Sequence, residues 1–483
     1  MKTNSISSRR DFLKTTGTLA AGATLVGGLS LGRSAHAAGN DLMKVALVGC
    51  GGRGRGAVMQ RLQVGDNAKV VAIADAFEGN SQNVANMLRT ENEKDGSHAK
   101  GKVDLPNERV FSGFDGFRKA IDCLSPGDQV LIATAPGFHP YFYRYAIEKG
   151  VHVFMEKPMC IDAPSYRHAM ETNKMADAKG LKVCIGLQRR YDPNYYNWAK
   201  QIAGGKIGDV SFTRVYWNGG QIWCRRRERT QTELQFQVRN WYHFVWLCGD
   251  NICEQHIHNL DIGNWIHGKG DPMAHPVTAN AQGGRQEASA PEAILRTAPP
   301  FADKDAWWDW YEKNKGACNR HGQAWDHFFV EYTYPDGSRM FSQCRHINNA
   351  WNNVSEHVHG TNGTGGPGWL KDRAGNDIWR NEEKVPKGPM DWEHDCLVKA
   401  IRENLPMNNG YYAANAAMVA IFGRLAAYSG KELKWDDAVN KGVAYVPDVY
   451  KLTWDAEAPV MPDADGFYEN SVARQGVFNP LVG

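Results

Sequence analysis

A chain of 483 residues is longer than one hydrophobic core organises, and it predicts two domains. Lys plus Arg outnumber Asp plus Glu by 56 to 53, a net charge of +3, which is too weak a field to grip a polyanion, so nucleic-acid binding is excluded. The ten cysteines contain no C-x-x-C pair, which argues against a zinc knuckle or a small disulfide scaffold.

Residues 7–39 read "SSRRDFLKTTGTLAAGATLVGGLSLGRSAHAAG": Arg9 and Arg10, then Phe12, Leu13 and Lys14, a short Ala/Gly/Leu stretch, and the cleavage pattern Ala35-His36-Ala37. This is the pattern of a twin-arginine export signal over residues 1–37. It predicts the twin-arginine translocase as a partner during export. The folded chain then works in the periplasm, cleaved near Ala38 or held by the uncleaved signal. No later stretch reaches the roughly 18 apolar residues of a membrane-spanning helix.

Residues 42–188 alternate strand and helix. An apolar run from Val45 to Val48 leads into Gly49-x-Gly51-x-x-Gly54, with Gly52 and Arg53 between, and a helical pattern follows from Ala57. A buried strand ending in such a turn lets backbone approach a pyrophosphate at Gly51 and lets helix and strand pack closely at Gly54. The next strand, "KVVAIAD", ends at Asp75. An acidic side chain there accepts hydrogen bonds from ribose hydroxyls and repels a 2′-phosphate, which favours NAD over NADP, although Arg53 and Arg55 temper the preference. "DQVLIATAP", "VHVFMEKPM" and "LKVCIGLQ" continue as strands and "FHPYFYRYAIEKG" and "SYRHAMETNKMADAKG" as helices, which predicts a doubly wound parallel sheet. Ligands of such sheets sit at the carboxyl ends of the strands. Thr134, Pro136, His139, Glu156, Lys157 and Gln188 lie at those ends. In "MEKP", Lys157 is either an ammonium over the nicotinamide end of a cofactor or a surface lysine paired to Glu156.

Residues 189–483 read as a second domain. "DVSFTRVYWNGG", "PVTANAQGGRQ" and "HFFVEYTYPDGSRMFSQCRHI" alternate with period two, with a hairpin turn at Pro335-Asp336-Gly337. The Pro/Gly/Asp-rich stretches around 287–322 and 360–390 read as long loops. In "CEQHIHNLDIGNW", Glu254, His258, Asp261 and Trp265 are spaced to share one face of a helix, while His256 points away. That geometry counts against a metal cage, so no metal is predicted. A metal-dependent hydrolase would show chelator sensitivity, and a purely structural helix is the remaining alternative to an acid/base apparatus.

Together "VGCGGRGRG", "IATAPGFHPYFYRYAIEKGVHVFMEKPM", "IGLQRRYDP" and "HNLDIGNWI" resemble the Gfo/Idh/MocA oxidoreductases, the family of glucose-fructose oxidoreductase and inositol dehydrogenase. The resemblance spans most of residues 43–270 and extends loosely to "WEHDCLVKAIRENL" and "LAAYSGKELKWDDAV". It implies an α/β chain: an N-terminal Rossmann domain followed by an α+β domain built on a large open, mostly antiparallel sheet, whose last segment packs back on the first domain. Sheets of this kind pair into homo-oligomers. The family pattern makes an acidic residue and a histidine four apart the acid/base end of the site, here Glu254 and His258, with Glu254 standing where inositol dehydrogenases more often have aspartate.

The reaction so implied is hydride transfer between a sugar or polyol hydroxyl and a tightly bound nicotinamide. His258 is then the base, Lys157 orients and stabilises the oxygen, and Glu254 holds the imidazole tautomer. Trp223, Arg239, Trp241 and Tyr242, with Arg225 and Trp246, suit a polyhydroxylated substrate or, equally, core packing and a solvated basic face. Outside the cytoplasm there is no ample free NAD, so the cofactor is expected to stay bound and be reset in place. A redox-neutral NAD-dependent glycosidase, working by oxidation, elimination, addition and reduction, shares this chemistry and differs in product. A nonenzymatic sugar- or nucleotide-binding protein has no use for a proton acceptor beside the nicotinamide.

Overall fold

The computed structural model describes residues 42–286, 304–313, 322–385, 387–463 and 468–482. The predicted export signal and most of the predicted 287–322 loop lie outside them.

Six strands make the first sheet: β1 Met43–Val48, β2 Ala68–Asp75, β3 Val110–Ser112, β4 Gln129–Ile132, β5 His152–Met155 and β6 Val183–Ile185. Their order is β3-β2-β1-β4-β5-β6, and every pairing is parallel. β4 and β5 are buried along their whole length, as strands covered by helices on both faces must be, which is why they read as unbroken apolar runs. The order reverses between β1 and β4. Crossovers leave that point in opposite directions, and a crevice opens beyond Val48 and Ile132.

The second sheet has nine strands: β7 Val210–Gly219, β8 Thr278–Gly284, β9 His327–Thr333, β10 Arg339–His346, β11 Asn353–Gly360, β12 Gly363–Gly366, β13 Trp369–Asp372, β14 Asp377–Arg380 and β15 Leu433–Lys434. All pairings are antiparallel except β7 with β10. β9 and β10 alternate buried and accessible residues, so one face is covered. Helix Ile257–His267 lies across it so closely that a Cβ on Gly263 would come within 2.3 Å of the Met340 sulfur.

The expectation of loops over 360–390 is corrected: β12, β13 and β14 extend the sheet there. Glycine marks this segment for a packing reason. A Cβ on Gly365 would meet Leu370 Cδ2 at 2.4 Å and the Trp369 carbonyl oxygen at 2.5 Å, so a residue that usually breaks strands is what lets these two approach.

Two late helices return to the first sheet. Helix Pro389–Arg402 sends Leu397 and Ile401 into the apolar cluster of Val45, Leu47 and Val70. Helix Gly410–Ser429 is buried almost throughout, and its Ala-rich surface lets it pass between the two sheets.

Candidate active site

The glycine turn after β1 is built by contacts that exclude a side chain. Gly49 has φ +97°, and a Cβ there would sit 2.5 Å from the Ala133 backbone on β4's exit; a Cβ on Gly54 would sit 1.8 Å from the Gly49 oxygen. Gly51 and Gly52 instead face open space, with no atom within 4 Å of an added Cβ. Gly51 caps helix Gly52–Gln63, so the first N–H groups of that helix have no intrahelical acceptor and offer an anion site. At the end of β2, Asp75 accepts hydrogen bonds from Cys50 N at 2.8 Å, Phe77 N at 2.9 Å and Asn80 Nδ2 at 3.0 Å. Burial raises its pKa against those bonds.

A cavity of about 780 Å³ opens beside this turn. Its wall includes the predicted cofactor residues Gly49, Gly51, Gly52, Arg53, Asp75 and Thr134. The residues present fit a dinucleotide: a cavity beside the glycine turn, a helix start for the pyrophosphate, and the Asp75 carboxylate for a ribose.

Pro136, His139, Gly54, Glu156, Lys157 and Gln188, also predicted to serve the cofactor, are not among the residues that line this cavity. Pro136 and His139 are buried. The His139 ring bridges the Pro158 oxygen, 2.7 Å from Nδ1, and the Thr134 oxygen, 2.9 Å from Nε2, with its pKa pushed down to about 4 by burial. It thus ties the exit of β4 to the peptide following Lys157. Gly54 serves helix packing, and Gln188 opens the turn Gln188–Tyr191 away from the cavity. Glu156 accepts a hydrogen bond from Arg53 Nε at 2.5 Å, while Arg53 Nη2 stands 3.7 Å from the buried Glu393. Burial, then the Glu156 charge, raise the Glu393 pKa well above the carboxylate range, so Glu393 keeps its proton. The surface pairing of Lys157 with Glu156 is not what forms.

Lys157 turns instead toward the second half of the chain. Its Nζ donates to the Glu254 backbone oxygen at 2.6 Å and to Glu254 Oε1 at 2.7 Å, with side-chain exposures of only 11% and 7%. An ammonium has three N–H groups, which leaves one for a ligand. His258 is buried nearby. Its ring lies 5.9 Å from that of Trp217 on β7 at an interplanar angle of 27°, and its Nδ1 has no hydrogen-bond partner among the described residues. Burial first, then the charges of Lys157 and Arg189, hold its pKa well below the ordinary histidine value, so the imidazole is neutral and able to accept a proton.

Two expectations are corrected here. Glu254 and His258 do not share one helix: a turn Asn251–Glu254 ends, and helix Ile257–His267 begins beyond it. His256 between them is drawn to Ser342 Oγ on β10 at 2.7 Å. Glu254 therefore holds Lys157 rather than the His258 tautomer. Asp261 and Trp265 belong to a structural lock, in which Asp261 takes both Nε and Nη2 of Arg190 and the guanidinium lies 4.6 Å over Trp265. Among the described residues no group of three or more His, Cys, Asp or Glu could hold a metal ion.

The four aromatic and basic residues assigned to substrate divide. Tyr242 is buried beside Glu254, where burial and then that carboxylate raise its hydroxyl pKa. Trp223, Arg239 and Trp241 line the cavity of the glycine turn instead, because the chain between β7 and helix Glu233–Arg239 folds over the first sheet.

The sequence reading missed Arg189 and Glu356. Arg189 lies 5.8 Å over the Trp217 ring and ion-pairs with Glu356, which also accepts from Asn259 Nδ2 at 2.6 Å and Tyr195 OH at 3.1 Å. A signal existed: Glu356 occupies an inward register position of β11, where a carboxylate requires a buried partner.

Residues 43–187 match a family described as an oxidoreductase family with an NAD-binding Rossmann fold, Gfo/Idh/MocA. Over those residues the chain is similar to the Gfo/Idh/MocA oxidoreductases. Inositol 2-dehydrogenase of Corynebacterium glutamicum is 28% identical over 134 residues, covering 26% of this chain and 39% of that protein. An NADP(+) scyllo-inositol 2-dehydrogenase of Bacillus subtilis is 27% identical over 192 residues, covering 39% of this chain and 46% of its own. The alignments thus span less than half of either relative. The likeness in fold is wider: the solved aldose-aldose oxidoreductase of Caulobacter crescentus superposes on 82% of this chain and all of its own, with a TM-score of 0.55 at 18% identity. The second, mostly antiparallel sheet lies outside the residues that the family model matches. Among the described residues no helix is long and apolar enough to cross a membrane.

Proposed function

We propose that this chain is a nicotinamide-dependent oxidoreductase acting on a secondary hydroxyl of a sugar or polyol, with NAD favoured over NADP. One observation supports the reading: the charge of Lys157, exiting β5, acts on the buried imidazole of His258, on a helix 101 positions later in the sequence. The dinucleotide groove begins at the neighbouring strand ends. The dehydrogenase names of the relatives and the carboxylate of Asp75 at the ribose end of the groove support the same reading.

The residues divide the labour as follows. Glu254 fixes the ammonium of Lys157 by two hydrogen bonds and leaves its third N–H to a substrate hydroxyl oxygen. His258, neutral in the resting protein, accepts the hydroxyl proton. Negative charge developing on the substrate oxygen is stabilised by Lys157, and it offsets the two cations that otherwise disfavour a protonated His258. Tyr242, with a hydroxyl that stays protonated, lies beside the Glu254 carboxylate that holds Lys157. A nicotinamide dinucleotide, when bound, supplies the hydride acceptor.

The paired Arg9 and Arg10 support work in the periplasm, where a cofactor that left at each turnover would not be replaced; retention of the cofactor follows. To test the reading, unsupplemented purified protein is denatured and the released nucleotide assayed, and sugars, polyols and aryl glycosides are screened for reduction of the bound nicotinamide. Stoichiometric NAD with oxidation of a polyol or sugar is the expected result. Cleavage of an aryl glycoside with no net redox change would assign the glycosidase route, and failure to hold or bind any dinucleotide would remove the proposal.

A further inference from the structure

The groove has a second wall that the glycine fingerprint does not predict. Between β7 and helix Glu233–Arg239 the chain presents Trp223 and Arg225 to the same cavity that Gly51, Gly52 and Asp75 line. This stretch is pinned, not loose. Asn240, fully buried, accepts a hydrogen bond from Arg225 N at 2.6 Å and donates one to the Arg225 oxygen at 3.1 Å. His243 Nε2 lies 2.7 Å from the Trp223 oxygen; with the ring held neutral by burial, that nitrogen carries the hydrogen and donates. The Trp223 ring stands edge-on to Trp241 at 6.1 Å yet is 45% exposed, an unusual openness for a tryptophan whose backbone is so firmly held.

The charges along this cavity are unequal. Arg53, Arg55, Arg225 and Arg239 line it against the carboxylate of Asp75 alone. Arg53 is committed to Glu156 and Arg239 to Glu228. The Arg225 guanidinium stacks 5.7 Å from the Trp223 ring centroid and makes no ion pair among the described residues. An uncommitted guanidinium held over an aromatic face, in the same cavity as a helix start that offers bare N–H groups, suits a phosphate: the planar fork can donate two bonds to its oxygens and the helix backbone others.

Resting on the dinucleotide reading above, we propose that Trp223 and Arg225, supplied by the chain that follows β7, form a fixed clasp that binds the cofactor's pyrophosphate in the cavity of the glycine turn and retards its release. Because Asn240 and His243 order the clasp before any ligand arrives, binding costs little further conformational entropy, and the gain falls on residence time. Trp223 shields the phosphate from water, which strengthens the ionic contact. In this arrangement Trp223 and Arg225 serve the cofactor, not the sugar.

The test uses full-length protein and its exposed residue Arg225, with R225Q, R225K and W223A beside wild type. Binding of ADP-ribose, which carries the pyrophosphate, and of adenosine, which does not, is measured by calorimetry, and release of NAD from loaded protein is followed by rapid filtration. Expected are a loss of about tenfold or more in ADP-ribose affinity for R225Q, unchanged adenosine affinity, near-complete recovery in R225K, and faster NAD release from R225Q and W223A. Equal ADP-ribose affinity in R225Q and wild type, or parallel losses for ADP-ribose and adenosine, would overturn the clasp while leaving the dinucleotide reading intact. Absence of ADP-ribose binding in wild type would instead sink the dinucleotide reading, and the clasp with it.

Discussion

The glycine turn and the surroundings of Lys157 are made differently. At the glycine turn the contacts are backbone contacts: a positive φ at Gly49, a bare helix start after Gly51, and a cavity of about 780 Å³ open beside them. At Lys157 they are side-chain contacts among elements distant in sequence, nearly closed to solvent, with the ammonium and carboxylate facing each other at 2.7 Å. The first is indifferent to which side chains surround it but intolerant of a Cβ in the wrong place. The second is intolerant of any change in charge, because a buried ion that loses its partner cannot be rehydrated.

The largest effect that separates them is at Lys157. K157M is expected to lower turnover by about a thousandfold, because the developing oxyanion loses its cation. It should also destabilise the fold by about 3 kcal/mol, because Glu254 is left buried and charged. The double variant K157M/E254Q should recover most of the stability in denaturant unfolding and none of the activity. Recovery of both would show that Lys157 is only structural.

A smaller contrast lies within the turn itself. G54A puts a Cβ 1.8 Å from the Gly49 oxygen, so the helix must shift, and both melting temperature and dinucleotide binding should fall. G51A meets no protein atom within 4 Å, so it should melt like wild type yet bind NAD about tenfold more weakly, the methyl standing where the cofactor lies. Should G51A bind normally, the cofactor does not follow the turn.

The finest test is a pH profile. His258 must be neutral to accept a proton, and its pKa is depressed by burial and by Lys157 and Arg189. The acid limb of kcat/KM is therefore expected below pH ~6.5, the ordinary histidine value. Removing one cation with R189Q, best combined with E356Q to avoid a lone buried carboxylate, lets His258 protonate more readily, so the limb moves to higher pH. A limb that stays in place would dissociate His258 from the rate.

Much of this was legible because it is local. The glycine spacing, the apolar runs of β1, β4 and β5 and the hairpin at Pro335-Asp336-Gly337 each express their conformation within a few residues, so the parallel sheet and the second sheet could be read in order. Lys157 and His258 were legible one at a time. The partner of Glu254 was not: the helical spacing that joined it to His258 breaks at residues 255 and 256, and the residue it binds lies 97 positions away. The strands over 360–390 were hidden by glycines that packing requires, and Arg189 by the absence of any pattern marking which arginine meets Glu356.

The amino-acid order by itself determined a dinucleotide turn, a doubly wound sheet and the presence of an ammonium and an imidazole suited to hydroxyl chemistry, since strand, turn and helix preferences act through near neighbours. Only the tertiary structure decided which residues share a cavity. It moved Trp223, Arg239 and Trp241 to the cofactor groove, turned His139 into a brace, and gave Glu254 to Lys157. Burial and charge balance at a site depend on chain segments a hundred residues apart arriving at one place, and no local preference encodes that arrival.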